Sequence, residues 1–249
     1  MKIGLVLSGG GARGLAHLGV LEALDEMGIK PAVISGTSSG ALIGALYASG
    51  NSPRKILAMI KEHASGSVFG MFLSSEGLFS STGLRHILKS AIPEDSFEKL
   101  LTPLYVTATD IAAGTSATFS KGPLFDVLVG SSSVPVLFKP VKIGHQYLVD
   151  GGVMDNFPVE CIKDKCDKII GSHVNKPAHK KVGKLNRFQL LDLCFHLAIC
   201  GRVAINAKSC HVLLEPPLSG YSMFDMSHAD RIFKIGYQTT MEKRRLFLS

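Results

Sequence analysis

The N-terminal 50 residues repeat one pattern: an apolar run, a glycine-rich turn and a segment of helical character. IGLVLS at 3–8 is typical of a buried strand, and 12–28 places leucines at helical spacing before it ends at a glycine. PAVIS at 31–35 is again strand-like, and the apolar ALIGALYAS at 41–49 follows GTSSG at 36–40. Two strands joined by a helix run parallel, because the helix returns the chain to the starting end of the sheet. This pattern restricts the chain to an α/β fold.

Further strand-like runs continue the alternation along the chain. Residues 52–100 are helical in character and rich in Gly and Ser, and no repeat or linker divides the chain. We therefore expect one domain over residues 1–249 with a three-layer α/β/α architecture, in which helices cover both faces of a mostly parallel sheet. The C-terminal part, 176–249, is expected to be helical. The remaining predicted strands are 103–111, 115–120, 145–150 and 168–174.

Composition favours a well-packed globular protein. Hydrophobic residues make up 46% of the 249 residues, which excludes a disordered or fibrous chain. The apolar run before the first glycines is too short for a secretory signal, so we expect a cytoplasmic protein. The most apolar stretch, 41–50, is far shorter than the roughly 20 residues that cross a bilayer.

Charge is distributed unevenly between the two parts of the chain. Residues 1–159 hold 12 basic and 12 acidic residues, whereas 160–249 hold 15 and 8, so the net charge of +7 lies in the last third. A basic surface of this kind is either simply solvated or faces an anionic partner such as phospholipid headgroups. Aromatic residues amount to 7% and no RNA-binding signature is present, so nucleic acid is not an expected partner.

Gly9, Gly11 and Gly14 have the G-x-G-x-x-G spacing of a dinucleotide-binding loop. Such a loop needs an Asp or Glu at the end of the second strand to hold the ribose, and here the strand ends in 33–36 without an acid. The five cysteines likewise lack the spacing of a metal site. We therefore expect no nucleotide, metal or other cofactor. The glycine amides, at the positive end of the following helix, are interpreted as a cradle for an oxyanion.

GTSSG at 36–40 is a G-x-S-x-G sequence centred on Ser38. In a nucleophile elbow the serine lies in a strained turn between strand and helix, flanked by glycines because side chains there would collide. The predicted strand and helix on either side give Ser38 this context, although an ordinary Ser/Gly turn fits the same letters. Two anion-stabilising turns at neighbouring strand ends favour one shared site.

A serine nucleophile needs a base to accept its proton. Asp150, which ends a predicted strand and precedes Gly151 and Gly152, is one candidate, although Asp-Gly is also a common turn pair. A late histidine is the other, in the Ser, acid, His order of α/β-hydrolases. No distinctive motif surrounds any of the late histidines, which are His173, His179, His196, His211 and His228.

The set of motifs resembles the patatin-like phospholipase family, lipid acyl hydrolases with a Ser/Asp dyad and no catalytic histidine. The resemblance covers roughly residues 1–175. Ser39 and Gly130 depart from it, at positions where the family more often has alanine, and both residues are small. The matching stretches are GGGARG (9–14), GTSSG (36–40), TDIAAG (109–114), SSSVPVLFKPV (131–141), DGG (150–152) and VMDNFPV (153–159).

This resemblance implies roles for individual residues. Ser38 is the nucleophile and Asp150 the base, and backbone N–H groups of the glycine loop hold the oxyanion. A carboxylate with the usual pKa of about 4 is a weak base, so amides and helix dipoles must supply most of the stabilisation. Arg13 anchors either a substrate phosphate or the loop itself. The oxyanion and substrate-binding set is Gly9, Gly10, Gly11, Arg13 and Gly14; the residues that complete the motifs are Gly36, Gly40, Gly151 and Gly152.

The implied partner is a lipid or other acyl ester, with peripheral contact at the inner face of a membrane. Two segments fit such a surface. Residues 52–100 resemble either a mobile lid or a packed helical cap, and 231–248 alternates cationic and apolar residues as a lipid-facing or a docked helix would. The sequence does not indicate the oligomeric state. The apolar residues of the lid hypothesis are Phe69, Met71, Phe72, Leu73, Leu78 and Phe79.

Two other functions are compatible with these residues. One is a regulatory or adaptor protein that has the same fold and hydrolyses weakly, since a fold does not fix a function. The Ser38/Asp150 pair argues against it, because a binding module needs neither. The other is an esterase with a Ser/Asp/His triad, which a single essential histidine would reveal.

Overall fold

A computed structural model describes residues 1–65, 81–176, 187–224 and 226–247 of the chain. The strands are β1 (Ile3–Leu7), β2 (Val33–Thr37), β3 (Leu104–Asp110), β4 (Thr115–Phe119), β5 (Val141–Ile143), β6 (Gln146–Val149), β7 (Lys168–Ser172) and β8 (Val212–Leu214). They form one sheet in which hydrogen-bonded pairing connects β5 to β6, β6 to β3, β3 to β2, β2 to β1, β1 to β7 and β7 to β8. β4 pairs with the edge of β3 opposite β2 and β6. The five strands β1, β2, β3, β7 and β8 pair in parallel, whereas β4, β5 and β6 join by antiparallel pairing.

The α-helices in the described part of the chain cover both faces of this sheet. They are α1 (Leu15–Glu26), α2 (Ser39–Ala48), α3 (Pro53–Ser65), α4 (Ser81–Ala91), α5 (Phe125–Ser131), α6 (Arg187–Asn206) and α7 (Ala229–Glu242). Side chains of β1 alternate between two cores, as the pleat of a strand requires. Leu5 and Leu7 join the core under α1 to α5 and α7, while Val6 joins a second core with Phe157 and Val203 of α6. The predicted α/β/α fold is confirmed.

The C-terminal part differs from the expectation of helices alone over 176–249. Its residues Val212–Leu214 form β8, which pairs in parallel with β7 and extends the sheet. This strand is hard to predict from the sequence, because three residues are too few for an alternating pattern to show and their burial comes from the neighbouring strand.

Two expectations concern contact with lipid. The apolar residues between Phe69 and Phe79 that suggested a lid lie outside the described residues. On either side of them, α3 and α4 are amphipathic helices that bury Ile56 and Leu88 in the core. Within the described ranges, no helix has the length and apolar character needed to span a membrane.

The crossing of α1 and α7 ties the C-terminal part to the rest of the fold. A Cβ on Gly19 of α1 would lie 2.0 Å from the carbonyl oxygen of Phe233, and one on Gly236 of α7 would lie 2.0 Å from that of Ala16. The helices therefore touch backbone to backbone, which only glycine permits. Ile232 and Phe233 of α7 are buried at this contact, so α7 docks on its own domain.

Replacing Gly236 with alanine should destabilise the protein by about 1–3 kcal/mol or more, because the methyl group must push two backbones apart. Gly201 of α6 is the matched control, since a Cβ there meets nothing within 4 Å. Gly201→Ala should be neutral or stabilising by up to about 1 kcal/mol, as expected for an open helical glycine. Chemical denaturation of both variants measures the difference, and equal stabilities would contradict the proposed close crossing.

Candidate active site

Strands β2 and β6 approach each other end to end along one edge of β3. β2 runs parallel to β3, and its last residue pairs with the β3 residue just before Ala108. β6 runs antiparallel to β3, and its last residue pairs with the β3 residue just after Ala108. β4 occupies the opposite edge of β3 at both levels. The first residue after β2 is Ser38 and the first after β6 is Asp150, so the sheet brings these two residues together.

Ser38 lies in a strained turn between β2 and α2. Its φ of 53° and ψ of −125° fall in a region that costs a non-glycine residue about 1–3 kcal/mol. A Cβ on Gly40 would lie 2.3 Å from the carbonyl oxygen of Leu7, and one on Gly36 would lie 2.7 Å from the backbone nitrogen of Ala41. The two glycines of G-x-S-x-G are therefore required by close backbone approach.

The Ser38 hydroxyl is directed at a carboxylate. Ser38 Oγ donates to Asp150 Oδ2 at 2.6 Å, and the two residues are only 8% and 3% exposed. The other carboxylate oxygen, Oδ1, accepts the N–H of Gly152 at 2.8 Å. A Cβ on Gly151 would lie 2.2 Å from the carbonyl oxygen of Thr107. The two glycines after Asp150 thus hold its carboxylate and let the turn pack against β3.

Burial changes the acidity of Asp150. Loss of solvation raises its pKa from the ordinary 3.8 to about 6, although the hydrogen bonds from Ser38 and Gly152 act to lower it. The carboxylate is consequently a stronger base than the sequence indicated, while at neutral pH its ionised form still prevails. Its environment is suited to accepting a proton from the serine.

Ser131 fixes the backbone of Ser38. Its Oγ accepts the N–H of Ser38 at 2.9 Å and donates to the carbonyl oxygen of Thr107 at 2.7 Å. The N–H of Ser38 is therefore already engaged and is not a donor for a substrate oxygen. Three consecutive serines begin at this position, and the sequence did not show which of them reaches the elbow.

The glycine loop between β1 and α1 lies beside Ser38. A Cβ on Gly9 would be 3.2 Å from that of Ser38. The N–H of Gly9 donates to the carbonyl oxygen of Asn156 at 3.1 Å, whereas the N–H groups of Gly10 and Gly11 donate to no residue in the described part of the chain. These two amides are thus the available donors of the loop, next to the N-terminal end of α1.

Gly14, the last glycine of the loop, packs against the first residue of α2. A Cβ here would lie 2.5 Å from Ser39 Oγ. That hydroxyl is buried and has no hydrogen-bond partner among the described residues. The serine that departs from the family pattern therefore fills space between α1 and α2 without a polar contact of its own.

Residues far along the chain support the glycine loop from behind. Arg13 is 6% exposed, and its Nε donates to the carbonyl oxygen of Tyr221 at 2.8 Å. Its Nη1 donates to Asn175 Oδ1 at 3.3 Å, and the N–H of Ala12 donates to the carbonyl oxygen of Met223 at 2.8 Å. These contacts favour support of the loop over binding of a substrate phosphate by Arg13. Nothing in the sequence pointed to residues 221–223, because they act through backbone atoms.

No histidine whose side chain the structure describes forms a hydrogen bond with Ser38 or Asp150. His17 is fully buried behind the glycine loop, where Nε2 donates to the carbonyl oxygen of Ser8 at 2.9 Å and Nδ1 accepts from Ser172 Oγ at 2.8 Å. Burial lowers its pKa to about 4, so it is neutral. The side chains of His63, His179 and His196 lie outside the described residues.

Over the same described ranges, no group of three or more His, Cys, Asp or Glu side chains is placed to hold a metal ion.

The model of the Patatin-like phospholipase family matches residues 5–161, which include the end of β1, the glycine loop, the elbow and the Asp150 turn. The chain belongs to this family. Membership places it, at the level of the family, among the lipid hydrolases. The match covers the strand ends that meet beside β3, but it ends before Asn175 and the segment at 221–223.

Named relatives agree with this assignment. The chain is 28% identical over 95% of its length to patatin-like phospholipase domain-containing protein 7 of Mus musculus, and spans 20% of that protein. It is 28% identical over 94% of its length to the lysophospholipase NTE1 of Candida glabrata, and spans 15% of it. The crystal structure of VipD from Legionella pneumophila has the same fold, with a TM-score of 0.58 and 16% identity over 97% of this chain and 66% of that one.

The raised pKa of Asp150 makes stability depend on pH. Below the unfolded pKa of about 4 both states are protonated; between 4 and about 6 only the folded state holds the proton, so stability falls as pH rises through this window. The loss should amount to about 1–3 kcal/mol. Asp150→Asn removes the buried charge, so its stability relative to wild type should be greater at pH 8 than at pH 4.5. Denaturation at both pH values tests this, and a constant difference would contradict it.

Proposed function

We propose that the chain is a serine lipid acyl hydrolase that cleaves carboxylic esters through the Ser38/Asp150 dyad. The observation that carries the proposal is the 2.6 Å hydrogen bond from Ser38 Oγ to Asp150 Oδ2, within a family of lipid hydrolases. A strained serine, a buried carboxylate and two available amides are the parts that acyl transfer requires.

In the first step, Asp150 accepts the hydroxyl proton while Ser38 Oγ forms a bond to the ester carbonyl carbon. The carbonyl oxygen becomes an oxyanion, which the N–H groups of Gly10 and Gly11 stabilise beside the N-terminal end of α1. The intermediate then expels the alcohol, which takes the proton from Asp150. The acyl group is left as an ester on Ser38.

In the second step, Asp150 accepts a proton from water, and the resulting hydroxide attacks the acyl carbon. A second tetrahedral oxyanion forms in the same cradle and collapses to the carboxylic acid, while Ser38 regains its proton from Asp150. The dyad needs no further group, because one carboxylate serves as base and acid in turn. The rise of its pKa to about 6 suits both roles near neutral pH.

The proposed substrate is a phospholipid or lysophospholipid. The Candida glabrata relative is named a lysophospholipase, and the chain's basic last third matches an anionic headgroup surface.

A lipid-like phosphonate that reacts with activated serines tests the dyad. Wild type should be labelled on Ser38, and Ser38→Ala should lose both label and turnover, whereas Ser39→Ala, the adjacent serine, should retain both. Asp150→Asn should lose most of both, because an amide cannot accept the serine proton. Turnover and labelling should persist in single alanine variants of His145, His173, His179, His196, His211 and His228.

The histidine series separates the dyad from the triad. One folded histidine variant that neither hydrolyses ester nor takes the label would establish a triad. Labelled wild type that hydrolyses no lipid ester, in contrast, would favour the regulatory or adaptor function.

We further propose that α6 contacts the lipid surface, as a peripheral protein at the cytoplasmic face of a membrane would. Leu190, Leu197 and Ile205 are 52%, 65% and 67% exposed, and their spacing places them on one side of the helix together with the exposed Cys194. α6 packs beside the Gly151–Val153 turn that follows the catalytic Asp150. The helix that carries the exposed apolar stripe therefore also contacts the turn beside Asp150.

The double variant Leu190→Glu/Leu197→Glu should bind vesicles of phosphatidylcholine and phosphatidylglycerol at least about tenfold more weakly, because two exposed leucines that would enter the lipid are replaced by charged side chains. Its turnover of a short soluble ester should stay at the wild-type value. Leu101→Glu is the control, since Leu101 is 78% exposed in the loop before β3. Unchanged vesicle binding would refute the contact, and a wild-type dimer that the double variant converts to monomer would assign the stripe to a second copy.

A further inference from the structure

One peptide group decides where the proposed oxyanion donor points. The C=O of Gly9 and the N–H of Gly10 belong to the same planar trans peptide, so they point in opposite directions. Whatever holds the carbonyl of Gly9 therefore aims the N–H of Gly10. Because Gly9 and Gly10 have no side chains, the loop cannot fix this plane by itself.

Asn175 holds that carbonyl. Its Nδ2 donates to the oxygen of Gly9 at 2.5 Å, and its Oδ1 accepts from Nη1 of Arg13 at 3.3 Å. A guanidinium only donates and a carbonyl only accepts, so the two contacts determine which end of the amide faces which partner. A longer contact from Asn156 Nδ2 to the same oxygen, at 3.5 Å, is weaker.

The position of Asn175 is itself fixed by the sheet. β1 and β7 pair in parallel, so their ends arrive together, and the N–H of Val174 donates to Ser8 Oγ at 3.1 Å. Asn175 is 6% exposed. A Cβ on Gly10 would lie 2.4 Å from Val174 and 3.2 Å from Asn175 Oδ1, so the loop rests directly on these two residues.

We infer that Asn175 is a positioning residue for the reaction: it orients the Gly9–Gly10 peptide so that the N–H of Gly10 faces the oxyanion. This inference rests on the proposed hydrolase function. Asn175 touches neither substrate nor the dyad, so its effect passes through the backbone. An oxyanion exists only in the tetrahedral state, so the amide orientation matters to turnover and little to substrate binding.

Asn175→Ala removes the donor, and Asn175→Asp keeps the shape and the contact with Arg13 but sets a second acceptor against the oxygen of Gly9. Both variants should lower kcat about 10- to 1000-fold on a short soluble ester, with KM within about twofold of wild type. Asn175→Asp should be the slower of the two. A role confined to folding predicts the opposite order, because aspartate preserves packing and strengthens the pair with Arg13.

The readout beyond turnover is binding of an alkyl trifluoromethyl ketone, which forms a tetrahedral oxyanion on a reactive serine. Its inhibition constant should rise in both variants by the same factor as kcat/KM falls, whereas an unreactive ether of the same chain should bind as to wild type. Asn51→Ala is the matched control. Asn51 is also a buried amide, 8% exposed, and donates to the carbonyl oxygens of Leu46 and Ala91, so its loss should lower stability and leave ketone affinity unchanged.

Each result bears on a separate claim. Wild type that neither hydrolyses the ester nor binds the ketone overturns the proposed function and this inference with it. Wild type that does both, with Asn175 variants that fold and keep the wild-type ketone affinity, overturns the inference alone. Asn175→Asp faster than Asn175→Ala would assign the residue to folding instead.

Discussion

The site depends on a single feature of the sheet: two strands share one edge of β3 and stop on either side of Ala108. If either strand formed one more residue pair with β3, it would fill the space where Ser38 and Asp150 meet. β6 approaches from the opposite direction because it is the second strand of the β5–β6 hairpin, which follows α5 in the chain. The same stretch of chain supplies Ser131, so one segment between β4 and Gly151 provides both Asp150 and the hydroxyl that holds the backbone of Ser38.

This meeting point has energetic costs that the rest of the fold must offset. A serine with positive φ costs about 1–3 kcal/mol, and an ionised carboxylate that is 3% exposed is poorly solvated. Both lie among fully buried residues of β1, β2 and β3, which resist relaxation because packed interiors deform little. Rigidity of this kind is what keeps a hydroxyl 2.6 Å from its acceptor before any substrate arrives.

Ser38 and Asp150, the proposed nucleophile and base, could be singled out from the sequence, because steric demands surround them with glycines. Gly36 and Gly40 mark Ser38 for this reason, and the glycines after Asp150 mark the carboxylate. Asn175 and Ser131 could not be found in this way, since each is one ordinary polar residue whose partner is a distant backbone atom. The raised pKa of Asp150 could not be predicted from the sequence either, because the burial that causes it follows from tertiary packing.

The support of the glycine loop by Tyr221 and Met223 has a consequence for where the proposed catalytic unit ends. A piece of chain cut at residue 161, where the family match ends, would retain the dyad and all the loop glycines. It would lack the carbonyl groups on which Arg13 and Ala12 rest, together with α7, whose backbone lies against α1 at Gly19. The smallest unit with a fully supported glycine loop therefore extends through α7. Main-chain contacts set its boundary, and no sequence motif marks them.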